Sequence, residues 1–379
     1  MPLTRKLRYG MVGGGPGAFI GEVHRKAARL DGLAELVAGV FSSNAERSKA
    51  HGRTLGLDEG RVYGSYEEMA DAEAARDDGI DFATVVTPNH LHYPVARRFI
   101  EGGFHVVCDK PMTMTVEQAE DLCRLVEEKD VVFALTHNST GYPLIKHARA
   151  MVEDGRLGTL RKVVAEYSQG WLATPLEQEG SKQAAWRTNP ALAGAGALGD
   201  IGSHAENLAR YVTGLDIDRL CADVSTFVEG RRVDDDANLL LHFEDGAKGV
   251  LHCSQVAVGE ENDLTLRVYG TEGSIAWRQE EPNALRFRTL DGNERVFRRG
   301  SEDLAPAARH ATRLPSGHPE AFIEAFANVY ANAIRTMRAR IAGEEPDPLD
   351  LDFPTVQDGA VGVHFIQTAL RSGREGGWV

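Results

Sequence analysis

The sequence predicts an α/β protein of two domains. A doubly wound parallel sheet comes first, and a second α/β domain on an open, mostly antiparallel sheet follows. Three observations predict this. Up to Leu135, short apolar runs alternate with stretches of helical periodicity, the order that parallel sheets require. From Leu160 onward, apolar residues recur at every second position between glycine-bearing turns, the mark of hairpins. The length, 379 residues, also exceeds what one core usually holds. The boundary falls at 138, giving domains 1–138 and 139–379, with the C-terminal helices free to pack back on the first.

The first strand, Leu7 to Val12, runs straight into Gly13-Gly14-Gly15, and a helix follows with Val23, Ala27 and Leu30 on one face. Strand, glycine turn and helix give meaning to the pattern Gly13-x-Gly15-x-x-Ala18. Gly13 suits a tight turn, and Gly15 lets backbone approach a pyrophosphate. The small Ala18 suits close helix–strand packing. The helix N-terminus, with Phe19 and Ile20, then offers N–H groups to phosphates. Residues 34–41 form the second strand, and Ser42-Ser43-Asn44 caps a helix through Leu55. An acid at this strand end would bind an adenosine ribose, but none is present. Ser42, Ser43 and Arg47 stand there instead and can hold either a ribose or its 2′-phosphate, leaving NAD or NADP.

Ser65-Tyr66-Glu67-Glu68 opens a helix to about Ala75 as a capping box. Phe82 to Val86 is a buried strand ending in Thr87-Pro88-Asn89-His90-Leu91-His92. Its carboxyl end faces the ligand crevice of such sheets, so Thr87, Pro88, Asn89 and His92 join the cofactor set. A metal is not implied, because no carboxylate or cysteine completes a ligand group with the two histidines. A helix from Pro94 to Glu101 leads to the strand His105 to Cys108, then Asp109-Lys110-Pro111. Thr115-Val116-Glu117-Gln118 caps a helix to Lys129, and Val131 to Leu135 is the fifth strand, ending at His137.

Tyr142 to Asp154 reads as a helix stopped by Gly155. Strand alternation then marks Val224 to Val228, Leu239 to Phe243 and Leu264 to Val268, with turns at Asp245-Gly246 and Gly270 to Gly273. One face of this sheet is left to cover a helix or a second subunit. About 30 residues before Asp200 lack periodicity and carry Trp171, Trp186 and Arg187, and long irregular loops are often functional. A helix opens at His318-Pro319, with Phe322, Phe326, Val329 and Ala333 as core, and another runs from about Pro354 to Leu370.

The net charge of −14 repels phosphate backbones, which speaks against nucleic acid. No apolar run reaches 18 residues, so no membrane span is expected. Nothing resembles a signal peptide before the first strand, and Cys108, Cys123, Cys221 and Cys253 lie far apart. The expectation is a cytoplasmic protein with reduced thiols.

Two places carry chemistry. Lys110, at a strand's carboxyl end before a proline, points at the crevice, where its ammonium can polarise a carbonyl or steady a developing alkoxide. In Gly199-Asp200-Ile201-Gly202-Ser203-His204, the acid and the histidine sit at i and i+4 at a helix opening, so the carboxylate can orient and strengthen a general base.

Taken together, Gly13-Gly14-Gly15, C-D-K-P (Cys108 to Pro111) and G-D-I-G-S-H (Gly199 to His204) resemble the glucose–fructose oxidoreductase/inositol dehydrogenase (Gfo/Idh/MocA) family over about residues 7–373. The family's lysine–proline pair usually follows Glu, whereas Asp109 stands here. The resemblance implies a Rossmann domain using NAD, with NADP left open, and a second domain pairing copies into dimers or tetramers through its sheet. It implies that Lys110, Asp200 and His204 are catalytic, and that Asp109 and Lys110 reach the cofactor. The W-R pair at Trp186-Arg187 and G-H-P-E at Gly317 to Glu320 look most like the inositol and sugar dehydrogenases. Arg187 and His318 then contact substrate hydroxyls, Trp171 or Trp186 gives an apolar wall, and His137 joins the substrate set. The expected activity is NAD(P)-linked oxidation of a secondary alcohol on a cyclic polyol or sugar. Three alternatives stay open: a keto-sugar reductase, an NAD-dependent glycosidase, and a non-enzymatic dinucleotide sensor.

Overall fold

In the computed structural model, which describes residues 5–379, the chain begins with alternating strands and helices. These are β1 (Leu7–Gly13), α1 (Phe19–Leu30), β2 (Ala34–Val40), α2 (Ala45–Thr54), α3 (Tyr66–Ala74), β3 (Phe82–Val86), α4 (His92–Glu101), β4 (His105–Cys108), α5 (Val116–Lys129) and β5 (Phe133–Leu135). The five strands pair in parallel in the order β2-β1-β3-β4-β5. The order reverses between β1 and β3, which opens a crevice at their carboxyl ends. Both faces carry helices, so β3 and β4 are buried throughout and apolar apart from Thr84 and His105.

Local chemistry explains the boundaries. Asn44, Ser65 and Thr115 each accept a backbone N–H of the helix they start. Gln118 reaches back to the Met114 N–H and Glu68 to the Gly64 N–H, so both capping boxes close one residue ahead of the cap. The fifth strand starts two residues later than expected. The N–H of Val131 closes helix α5 on Val126 and that of Val132 goes to His105 Nδ1, so only the Val132 carbonyl, which takes the Val106 N–H, faces β4 ahead of Phe133. Leu30 is half exposed and leaves the buried face of α1 to Val23, His24, Ala27 and Ala28.

After Asn138 come α6 (Pro143–Glu153), β6 (Leu160–Ser168), α7 (Lys182–Arg187), α8 (Pro190–Ala193), a π turn (Leu198–Gly202) and α9 (Ser203–Thr213). Then follow β7 (Ile217–Ser225), β8 (Asp236–Phe243), β9 (Lys248–Ser254), β10 (Asp263–Gly270), β11 (Gly273–Arg278), β12 (Ala284–Thr289) and β13 (Glu294–Arg298). The last elements are α10 (Pro306–His310), α11 (Phe322–Ala342) and α12 (Val356–Glu375). Eight strands form one sheet, β13-β12-β11-β10-β6-β9-β8-β7, antiparallel except for β6 beside β9. The Asp245-Gly246 turn joins β8 to β9, with Gly246 at φ +84°. Helices α6 and α9 cover one face. On the other face Leu240 and Tyr269 are exposed among the ion pairs Arg267–Glu166 and Arg278–Asp263.

Several expectations for this half are corrected. The strand placed at Val224 to Val228 ends at Ser225, because the N–H groups of Phe227 and Val228 bond the Asp235 carboxylate instead of a neighbouring strand. The irregular stretch before Asp200 holds α7 and α8, capped by Ser181 and Asn189, which are too short to show a helical period. Helix α11 opens at Phe322, not His318, because Glu320 Oε1 takes the N–H groups of Arg313 and Leu314 and folds residues 313–320 into a turn. The last helix starts at Val356 and runs five residues beyond Leu370.

By contacts the chain forms two units. One takes the chain to Asn138 together with Phe326–Ala360, and the other takes Ser139–Ala325 together with Val361–Val379. Within Phe326–Ala360 the Tyr330 hydroxyl meets His24 and the Pro354 carbonyl accepts the Leu135 N–H, both partners lying in the first unit. In the second unit Phe365, Ile366 and Ala369 join the core formed with β6 to β12, α6 and α9.

Candidate active site

In the first unit, β1 ends in a loop that only glycine can build. Gly13 sits at φ +91°, and a Cβ there would lie 2.2 Å from the Val86 carbonyl oxygen. That oxygen accepts the Gly14 N–H at 3.1 Å, so the loop folds over the end of β3. The close helix–strand approach expected of Ala18 falls elsewhere: a Cβ on Gly21 would lie 2.4 Å from Gly14 Cα, whereas Ala18 is half-buried as the N-cap of α1. Gly15 turns its bare side to the Phe41 carbonyl, 2.1 Å from a built Cβ, so that carbonyl by itself demands glycine there. Ala18 gives no side-chain cap to α1, Gly17 (φ +79°) has open space around it, and Phe19 is exposed. The first N–H groups of α1 thus have no side-chain acceptor from the cap.

At the end of β2, the Phe41 N–H bonds Ser48 Oγ at 3.0 Å, and Ser42 Oγ accepts from the Asn44 N–H at 3.2 Å. Ser43 and Arg47 are exposed. Among the described residues no carboxylate stands at positions 41–44, where the strand ends.

The end of β4 is organised from beneath. Asp109 Oδ1 accepts from the Lys110 N–H (2.9 Å) and from Thr136 Oγ1 (3.0 Å), while Oδ2 lies 3.8 Å from His24 Nε2. Burial alone would raise the Asp109 carboxyl, but His24 and the Lys110 charge hold it well below the usual carboxylate range. His24 Nδ1 is 2.7 Å from the Tyr330 hydroxyl, which donates to Thr84 Oγ1 at 3.4 Å. The buried His92 ring spans two loops, with Nδ1 2.7 Å from the Pro111 oxygen and Nε2 2.9 Å from the Thr87 oxygen. Its polar atoms thus join the Thr87 loop to the Lys110 loop within the protein. Asn89 and His137 are also buried, while Thr87 and Pro88 are half-buried.

In the second unit, Asp200 does not cap a helix. It lies inside the π turn that precedes α9, and the buried His204 is the second residue of that helix. Such turns interrupt helices frequently at functional sites. Asp200 Oδ2 accepts from Gln255 Nε2 at 2.8 Å and from Arg187 Nε at 3.3 Å. The Tyr167 ring meets His204 edge-on at 6.0 Å. The Tyr167 hydroxyl donates to Asn262 Oδ1, which also accepts from Gln169 Nε2, and Gln169 Oε1 takes the Trp171 indole N–H. Burial pushes the Tyr167 hydroxyl up to about 12, with the Asp200 charge adding to it. The arrangement gathers an imidazole, a carboxylate, amides and an indole, the groups suited to a hydroxyl-rich ligand. His318 lies elsewhere in this unit and is exposed, its carbonyl held by Arg299.

Sequence reasoning missed Gln255, Gln169, Asn262, Tyr167, His24, Tyr330 and Gly21. Only Gly21 carried a signal, as the glycine one turn into α1.

Residues 7–137 match the oxidoreductase family model for an NAD-binding Rossmann fold, and residues 145–276 match the Gfo/Idh/MocA C-terminal domain. The chain belongs to the Gfo/Idh/MocA family. Its N-terminal domain is therefore an NAD-binding Rossmann domain. Among solved relatives, an oxidoreductase from Sinorhizobium meliloti is 44% identical, covering 99% of this chain and 100% of its own, with a TM-score of 0.91. An inositol dehydrogenase homolog from Azotobacter vinelandii has been solved with NAD+ (35% identity, TM-score 0.95). It has also been solved with NADH and myo-inositol (34%, 0.92), and both comparisons cover 100% of this chain and 98% of that one. Levoglucosan dehydrogenase of Pseudarthrobacter phenanthrenivorans is 28% identical over 78% of this chain and 80% of its own.

Proposed function

We propose that this chain is an NAD-dependent dehydrogenase that oxidises a secondary alcohol of a cyclic polyol or sugar. The observation that carries the reading is the presence of Lys110 at the end of β4 and of the Asp200–His204 pair at the start of α9, in a chain of this family. The homolog solved with NADH and myo-inositol, and the relative named for levoglucosan, support a hydroxyl-rich ring as substrate.

The residues fit the cofactor. The glycine loop from Gly13 to Gly17 and the N-terminus of α1, which has no side-chain cap, offer backbone N–H groups to a pyrophosphate. Ser42, Ser43 and Arg47 lie at the strand end where the adenosine ribose belongs in this fold. When bound, NAD supplies a hydride acceptor. The protein supplies the rest. Its Lys110 ammonium stabilises the negative charge that develops on the reacting oxygen, and Asp109 fixes the backbone from which it projects. His204 removes the hydroxyl proton, with Asp200 supporting the imidazolium that forms. Trp171, its indole N–H fixed by Gln169, provides an apolar wall for the ring. In the reverse direction His204 returns the proton.

We also assign the exposed sheet face around Leu240 and Tyr269 to pairing between copies of the chain. Light scattering that returns the mass of a single chain would remove that assignment. The function itself is tested by following NAD and NADP reduction against a panel of inositols and aldoses. Turnover of at least one cyclic polyol or sugar is expected. No reduction with any member, while the cofactor is bound, would refute the reading.

A further inference from the structure

The segment from 169 to 197 is attached to its unit by two arginines of unlike character. The Arg231 side chain is wholly buried. It donates to the Leu172 and Thr174 carbonyls at 2.9 and 3.2 Å, to both Glu177 oxygens at 3.0 and 3.1 Å, and to Asp235 at 3.2 Å. That is a staple with every bond satisfied. Arg187, the last residue of α7, is different. Its side chain is 23% exposed, and it meets an Asp200 side chain that is 20% exposed.

The Arg187 guanidinium is fixed on its edge and on its face. Nε donates to Asp200 Oδ2 at 3.3 Å and Nη1 to Gln183 Oε1 at 2.7 Å, while the plane lies 4.3 Å from the Trp186 ring centre. Trp171 stands 5.9 Å away. A planar fork stacked on an indole and tied at two nitrogens is not a mobile arm waiting for a sugar. The same carboxylate oxygen also takes Gln255 Nε2 at 2.8 Å, and Gln255 is itself buried. One oxygen with two donors, one of them cationic, keeps a carboxylate ionised and fixes its rotation.

We infer that Arg187 acts through Asp200. It is a positioning residue that holds this carboxylate charged and correctly turned beside His204, and Gln255 shares the task. The inference deepens the proposed function and rests on it. It replaces the expectation that Arg187 serves the substrate hydroxyls directly. The sugar was expected from the resemblance of the Trp186-Arg187 pair to the inositol and sugar dehydrogenases and from its place in an irregular stretch, and the geometry points to the acid.

A double-mutant cycle on the intact protein tests it, with Arg187→Gln, Asp200→Asn and the two combined. Arg187→Gln should lower kcat roughly 10–100-fold, the scale on which a misplaced catalytic group costs rate. KM for the polyol and Kd for NAD should move less than about threefold, because binding contacts are untouched. The double variant should be no slower than Asp200→Asn alone. Arg187→Lys, which keeps the cation but not the fork, should recover part of the rate. Melting temperatures should show the same coupling, and this second readout does not depend on activity. A raised polyol KM with kcat intact, or losses that multiply in the double variant, would place Arg187 on the sugar and overturn the inference. If the unmutated protein oxidises no polyol, the functional reading is what fails. The melting-temperature cycle then decides the pair by itself, and additive shifts would sink it.

Discussion

Gly21→Ala is the sharpest probe of how the cofactor loop is built. Gly21 lies one turn into α1, against the glycine loop. A Cβ placed there would sit 2.4 Å from Gly14 Cα, 2.6 Å from its oxygen and 2.8 Å from its carbonyl carbon. Non-bonded carbons rest about 3.5–4.0 Å apart, so the helix must retreat from the loop by about 1 Å. The obstacle is backbone, which has no rotamer to yield. The rest of α1 is anchored through Val23, His24, Ala27 and Ala28, so the retreat is paid at the N-terminal end. Overpacking of this kind costs about 1–3 kcal/mol. We expect about 1–2 kcal/mol of it to appear in NAD binding, a rise of roughly 5–30-fold in Kd. The assay is a fluorescence titration with NAD alongside a thermal melt of the free protein. Ala18→Ser is the control. Ala18 is half-buried with no cap bond, so serine should be tolerated and can even cap the helix. The reasoning is refuted if Gly21→Ala binds NAD and melts like the unmutated protein, or if Ala18→Ser is the more damaging change.

Two further outcomes follow from the same structure. With no carboxylate at the end of β2 and with Arg47 exposed, NAD and NADP should differ by less than ~10³ in kcat/KM, with a slight lean to NAD. A preference of ~10³ for NAD, about 4 kcal/mol, would reveal a ribose contact outside Ser42, Ser43 and Arg47. The second outcome concerns acid stability. His105 and His147 each accept a backbone N–H at Nδ1, from Val132 and from Ala305. Burial, aided by Arg340 and Arg156 respectively, lowers both imidazoles to about 4 from an ordinary 6.5. Both are neutral when folded and take up a proton on unfolding. Stability should therefore be full above pH 6.5 and fall as the pH drops from there toward 4, by up to about 3 kcal/mol for His105. Urea unfolding at several pH values measures this. His105→Asn, whose carbonyl can take the Val132 N–H without titrating, should flatten the slope, and an unchanged slope would clear His105 of the effect.

Much of the fold was legible because periodicity reports burial directly. β3 and β4, buried on both sides, stood out as mainly apolar runs carrying only Thr84 and His105 as polar residues, and β8 and β10 as alternation. Asn44, Ser65 and Thr115 announced helix starts because a side-chain oxygen there meets an N–H three residues on. What failed was set by distant partners. β7 stops at Ser225 because Asp235, ten residues away, takes the next N–H groups. Helix α11 starts late because Glu320 gathers the backbone before it. The residues proposed as catalytic were legible as motifs, since Lys110 and His204 lie in short runs with a strand or helix beside them. Their supports were not. Gln255 meets Asp200 only because the end of β9 passes the π turn, and Tyr330 meets His24 across 306 residues of chain. The Phe41 carbonyl against Gly15 was illegible for a similar reason, because no sequence pattern tells which backbone group fills the space of a missing Cβ.

The claim at the centre of this account is that the Lys110 charge acts in the transition state. Lys110→Met keeps the length and the apolar stem and removes the cation. With the polyol found by the screen, kcat should fall by ~10²–10⁴, the usual scale for one polarising or acid–base group. NAD affinity by fluorescence titration should stay within about threefold. His204→Ala should cost a similar factor, and the two losses should not add if, as proposed, both groups serve one oxygen. If both variants fold, bind NAD and turn over at the unmutated rate, the assignment of Lys110 and His204 is wrong.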